Sequence, residues 1–183
     1  LKLLFDLVFL DFSGHLYSTC WQPFNAVINN INMADAQKKY SSIADIEQLL
    51  PHRGRMLLLG AIKSINSDSA VTTAVVSETW PLCTGASVSP IVFIEVAAQT
   101  AGVLSCWKKG ENISAFAAGM LTGIKNAEFF VDEVPVHAEL TTAATIMYSL
   151  DDYEAIEATV MMGQTCLCTV QLQIFGLRVE PGV

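Results

Sequence analysis

Ser89-Pro-Ile-Val-Phe-Ile-Glu-Val-Ala-Ala-Gln-Thr-Ala-Gly-Val-Leu-Ser-Cys-Trp107 reads as one helix with almost no polar face. Ser89 can cap its N-terminus, and Pro90 suits its first position. Lys108, Lys109 and Gly110 supply a basic last turn and a glycine stop. A helix that is apolar all round has to be wrapped by the rest of the fold. Glu95 is the only charged residue between Glu78 and Lys108 and is expected to be buried. Burying an unpaired carboxylate is costly, so Glu95 is either a structural acid or a group kept for proton transfer. As a structural acid it would be satisfied by backbone N–H groups or by Gln99, its i+4 neighbour.

Outward from this helix the chain is mostly strand. Ser41 and Ser42 can cap a short helix through Asp45, Ile46, Leu49 and Leu50, ended by Pro51. Met56 to Ile65 is a largely apolar run that predicts a buried strand. Asn66-Ser-Asp-Ser69 is a turn, and Ala70 to Ser77 is its β-branched hairpin partner. Trp80 to Val88 reads as an irregular loop. After Gly110 come strand-like runs at Phe116–Phe130, His137–Tyr148, Glu154–Met162 and Gln164–Phe175. The order predicts an α+β domain in which long antiparallel strands wrap one central helix. That helix is roughly 27 Å long at ~1.5 Å per residue, enough to fill a curved sheet. Ala97, Ala98, Ala101 and Gly102 let the sheet approach it closely.

The 183 residues suffice for one domain with a sizeable core. Hydrophobic residues make up 52% and charged residues 15%, which excludes a disordered chain and leaves apolar surface for a subunit interface. The net charge of −8 argues against broad attraction to nucleic acid. No apolar run is long enough to span a bilayer. Cys20, Cys83, Cys106, Cys166 and Cys168 show no zinc spacing and read as free thiols of a cytoplasmic protein. Cys166 and Cys168, two apart on a strand, are expected on the same face. No metal and no cofactor is expected. Residues 1–32 differ in pattern from the rest and read as a doubtful N-terminal extension, with residues 33–183 forming the single domain. A degenerate membrane-surface or signal segment is the other reading of 1–32.

Four segments carry a resemblance. Ile46-Glu-Gln-Leu-Leu-Pro-His-Arg-Gly-Arg-Met-Leu-Leu-Leu59, Ile94-Glu-Val-Ala-Ala-Gln-Thr-Ala-Gly102, Gly119-Met-Leu-Thr-Gly-Ile-Lys-Asn-Ala-Glu-Phe129 and Pro135-Val-His-Ala-Glu-Leu140 occur in order. Together they resemble the hot-dog-fold 3-hydroxyacyl-acyl-carrier-protein dehydratases (FabA/FabZ-like) over nearly all of Ser41–Phe175. The likeness is to a divergent branch. The better-known branch has a loop histidine at the position that is Pro81 here, and Glu78-Thr-Trp-Pro-Leu-Cys-Thr-Gly85 contains none.

The resemblance implies a hot-dog fold and a lyase that dehydrates carrier-bound 3-hydroxyacyl thioesters in fatty-acid or polyketide-like synthesis. It implies that Glu95 handles the leaving hydroxyl, that Gln99 orients Glu95, and that the Gly85–Pro90 loop supplies an amide to the thioester carbonyl. It also implies an acyl-carrier-protein or coenzyme A thioester substrate, and a homodimer or a hetero-pair with a related hot-dog subunit. His52 is the only histidine in a matched segment apart from His137, which reads as solvated at a strand start. His52 is either a substitute base or a structural histidine tying the short helix to the sheet. Arg53 with Arg55, and Lys108 with Lys109, are either phosphate contacts for the carrier arm or solvated charges. Two other readings stay open. A hot-dog acyl thioesterase would use the helix carboxylate toward the thioester. A non-catalytic acyl-binding subunit would have dispensed with the loop histidine.

Overall fold

A computed structural model describes residues 21–30, 43–108 and 116–178. Among the described residues are three helices: α1 (Trp21–Asn30), α2 (Ile43–Leu49) and α3 (Val92–Lys108). A 3-10 turn at Gly54–Met56 precedes β1 (Ala61–Ile65) and β2 (Ser69–Val75). Two short strands follow, β3 (Cys83–Thr84) and β4 (Ser87–Val88). After α3 come β5 (Phe116–Phe129), β6 (Val134–Pro135), β7 (Glu139–Leu150), β8 (Tyr153–Met162) and β9 (Thr165–Arg178). The main sheet has six strands in the order β1-β2-β7-β8-β9-β5, all antiparallel. Strands β3, β4 and β6 form a separate small sheet. This is the hot-dog architecture: one long helix packed in the hollow of a large antiparallel sheet.

The core lies between α3 and the sheet. Phe93, Val96, Ala97, Ala101 and Leu104 face Ala144, Ile156, Val160 and Leu172, all buried. Burial of a side chain such as Phe93 or Leu104 contributes about 2–3 kcal/mol each. Thr72 and Thr100 place two hydroxyls inside this apolar layer, 2.8 Å apart. Thr100 donates to the Val96 carbonyl, so Thr72 is left to donate to Thr100 and both are satisfied.

Several expectations shift. The helix starts at Val92, because Val92, Phe93 and Ile94 donate their N–H groups three residues back, to Ser89, Pro90 and Ile91. Ser89 thus serves this end through its carbonyl. The strand expected over Met56–Ile65 is shorter, since Gly54 takes a positive φ of 58° and opens the 3-10 turn. The Trp80–Val88 loop contains the small β3–β4 hairpin. Cys166 and Cys168 do not share a face. Cys168 pairs with Val160 and Cys166 with Met161, so Leu167 is an extra residue on β9. This irregularity sends Cys168 into the main core and Cys166 to the outer face.

On that outer face α1 buries Phe24 against Val71, Ala143, Met161 and Cys166. Ten residues assigned to the doubtful extension therefore form a helix seated on the sheet. The caps expected at Ser41, Ser42, Lys109 and Gly110, together with Cys20, lie outside the described residues.

Candidate active site

Residues 50 to 58 run from the end of α2 to the approach of β1 and lie against α3 between Glu95 and Gly102. Two features of α3 hold them there. At Gly102 an added Cβ would come within 2.9 Å of Leu50 Cδ2, so this glycine admits the end of α2. Gln99, buried, reaches the same segment with its side-chain amide. Its Oε1 accepts the Leu58 N–H at 2.9 Å. Its Nε2 donates to the Met56 carbonyl at 2.7 Å and to Glu95 Oε1 at 2.8 Å. The Leu58 bond fixes which end of the amide is oxygen, so Nε2 must be the donor toward Glu95.

The corner so held carries His52. Its Nε2 lies 3.2 Å from Glu95 Oε1, with about one third of each side chain exposed (32% and 35%). The approach becomes an ion pair when the ring is protonated. Both contacts of the Glu95 carboxylate among the described residues fall on Oε1, and Oε2 takes part in none. The expectation of a buried Glu95 is therefore corrected. The α3 face bearing Glu95 and Ala98 is only half covered, because there the helix meets a loop rather than the sheet.

The structure thus brings Glu95, His52 and Gln99 together. It does not bring Gly85 to them by any bond. Gly85 sits exposed at the β3–β4 turn with a φ of 63°. Pro90 lies just before α3, has no N–H to donate, and accepts from Phe93 through its carbonyl. The amide nearest the start of α3 that makes no bond among the described residues is that of Ile91. The sequence pointed to this loop without distinguishing that amide. His137 is exposed, with a φ of 68°. Of the cations considered for phosphate, Arg53 lies at the surface and donates to backbone carbonyls, and Lys108 pairs with Glu154. Arg55 is exposed, and Lys109 lies outside the described residues.

Chemically the site offers two proton-transfer groups in contact and one carboxylate oxygen open to a ligand. It also lies beside the positive end of a long helix. Among the described residues no cluster of three or more His, Cys, Asp or Glu could hold a metal ion. No helix among them is long and apolar enough to cross a membrane.

The sequence matches the ApeP-like family, described as ApeP dehydratase, over residues 44–180. The match supports the dehydratase expectation at this level and does not single out the FabA/FabZ-like branch. No curated protein matches significantly. Among solved structures the fold is similar to a chain of the dehydratase heterocomplex ApeI:P from Xenorhabdus doucetiae. That chain is 22% identical with a TM-score of 0.63, over 74% of this chain and 91% of that one. A hypothetical thioesterase with coenzyme A from Streptococcus pneumoniae TIGR4 is 10% identical with a TM-score of 0.53, over 65% and 86%. The PaaI protein from an E. coli phenylacetic acid degradation operon is 15% identical with a TM-score of 0.50, over 62% and 80%. At these identities the likeness establishes the fold.

Proposed function

We propose that this chain, which belongs to the ApeP-like dehydratase family, removes water from 3-hydroxyacyl thioesters carried on a phosphopantetheine arm. The observation that carries the reading is the 3.2 Å approach of His52 to a Glu95 whose Oε2 stays open. Dehydration needs a base for the C2 proton and an acid for the C3 hydroxyl, within reach of one substrate. His52 takes the C2 proton at Nε2. The electron pair moves into the enolate, whose oxygen meets the start of α3 and the Ile91 amide. Collapse of the enolate forms the double bond and expels the hydroxyl, which receives a proton from Glu95 Oε2. The proton held by His52 passes to Glu95 Oε1 and exchanges through solvent to Oε2, which restores the starting acid and balances the cycle.

The chain acts in an assembly. Among the described strands β5 pairs only with β9, and it exposes Met120, Leu121, Ile124 and Phe129. An unpaired apolar edge of this length favours addition of a second sheet. A second copy joined edge to edge is the arrangement favoured here. The heterocomplex of the similar ApeI:P structure makes a related subunit the other candidate. Sedimentation alone and with such a subunit separates the two, and a stable monomer in both cases opposes pairing.

The direct test of the reaction is incubation with 3-hydroxyacyl and acyl thioesters of phosphopantetheine. Appearance of the enoyl product supports the dehydratase. Release of free thiol makes the protein a thioesterase, and turnover of neither makes it a binding subunit.

A further inference from the structure

We infer that Arg53 is a positioning residue that acts on the reaction through His52, and this rests on the reading of Glu95 and His52 given above. The starting point is the His52 ring. A histidine used for proton transfer is ordinarily oriented by a bond from its other ring nitrogen to a carboxylate, carbonyl or water. Here Nδ1 of His52 is buried and has no hydrogen-bond partner among the described residues. Among the described residues, then, the ring is held by its Nε2 contact with Glu95 and by the backbone that carries it.

That backbone is gripped by the next residue. Arg53 Nη1 donates to the carbonyl of His52 itself at 2.7 Å and to the Leu50 carbonyl at 2.6 Å. Its Nη2 donates to the Glu47 carbonyl at 2.6 Å. Glu47 and Leu50 are at the C-terminal end of α2, where carbonyls lack intrahelical partners and carry partial negative charge. One guanidinium thus ties the end of a helix to the peptide of His52. Three short, charge-assisted bonds in a planar fork fix both the position and the rotation of that peptide. The Leu50 side chain rests in the notch at Gly102, and Gln99 holds the far end of the segment at Met56 and Leu58. Arg53 holds the end nearest the ring. Its side chain is turned away from the role of phosphate contact that its position beside Arg55 had allowed.

A lysine keeps the charge but presents a single point donor and cannot span three carbonyls. Arg53→Lys and Arg53→Gln are surface changes, and both should remain folded. The first readout is the long-range proton–nitrogen spectrum of the imidazoles in the full chain, which needs no substrate. In the wild type, Glu95→Gln should move the His52 ring resonances. In the Arg53→Lys background the same change should leave them nearly still, with the ring resembling the exposed His137. If Glu95→Gln moves them equally in both backgrounds, the Arg53 inference is overturned and the functional reading stands. If it moves them in neither, the pair does not exist and both fall.

The second readout is turnover of a 3-hydroxyacyl-phosphopantetheine thioester. Arg53→Lys should lower kcat about 10- to 100-fold, the scale of a misplaced catalytic group, and leave KM within about twofold. In a His52→Ala background Arg53→Lys should cost nothing further, because the group it positions is gone. Additive losses, with His52→Ala itself impaired, would show that Arg53 acts by another route.

Discussion

Two glutamates at opposite ends of α3 show what the fold does with a carboxylate. Near the C-terminal end, Glu154 of β8 is almost fully buried at 3% exposure. Ser105 Oγ donates to its Oε2 at 2.5 Å, and Lys108 Nζ lies 3.2 Å from its Oε1. Lys108 also donates to Ser149, so helix, β7 and β8 are joined at one point. Near the N-terminal end, Glu95 is one-third exposed and, among the described residues, has both its contacts on one oxygen. A carboxylate with both oxygens paired is a structural joint, costly to break and closed to substrate. A carboxylate held firmly by one oxygen with the other free has a fixed position and an open reactive atom. The difference separates the two roles better than burial does.

The first way to break this contrast is Glu95→Gln. The amide is isosteric, so the fold and melting temperature should be kept. Turnover of the thioester should fall by ~100-fold or more, the usual scale for a positioned acid or base. An unchanged rate with a lowered melting temperature would make Glu95 a second structural joint. Next comes Glu154→Ala, which leaves buried Ser105 without its acceptor while Lys108 can still reach water. It should lower stability by about 2–3 kcal/mol and leave the rate per folded molecule within about twofold. Denaturant unfolding paired with an active-site titration reads both.

A region remote from either glutamate provides the control. Phe24→Ala removes the anchor of α1 from the outer face and should cost about 2 kcal/mol without touching turnover. A chain begun at Met33 should lose a similar amount and still unfold cooperatively. Aggregation of that shorter chain would show that α1 is integral to the domain. Smallest is Lys108→Met. Because Glu154 stays buried while only Lys108 is partly exposed, losing this cation should still cost about 1–2 kcal/mol, seen as a lowered unfolding midpoint.

The architecture was legible because its signals are local. Pro90 near the start of α3, the largely apolar run to Trp107 and the β-branched segments after Gly110 each act within a few residues. The polar joints were not, because each depends on register or on bonds between distant segments. Glu154 follows Asp151-Asp152-Tyr153, a run that reads as a solvated turn. Only the pairing of Glu154 with Ile174 and Ser149 puts it on the inner face. Helical spacing makes Gln99 a neighbour of Glu95, but its bonds to Met56 and Leu58 cross more than forty residues. A helix apolar on all sides cannot reveal which side is left uncovered, so Glu95 was expected to be buried when it faces a loop. The outer-face position of Cys166 was hidden by one extra residue, Leu167, since a period of two presumes an unbroken ladder.

One crossed experiment tests the central claim most directly. Wild type, Glu95→Gln and Glu154→Gln are compared for enoyl formation from a 3-hydroxyacyl-phosphopantetheine thioester and for thermal unfolding, in the same buffer. Glu95→Gln should lose at least ~100-fold in rate with an unchanged midpoint, while Glu154→Gln should lose midpoint and keep its rate. Full enoyl-forming activity in Glu95→Gln would contradict the assignment of the open carboxylate as the reacting group.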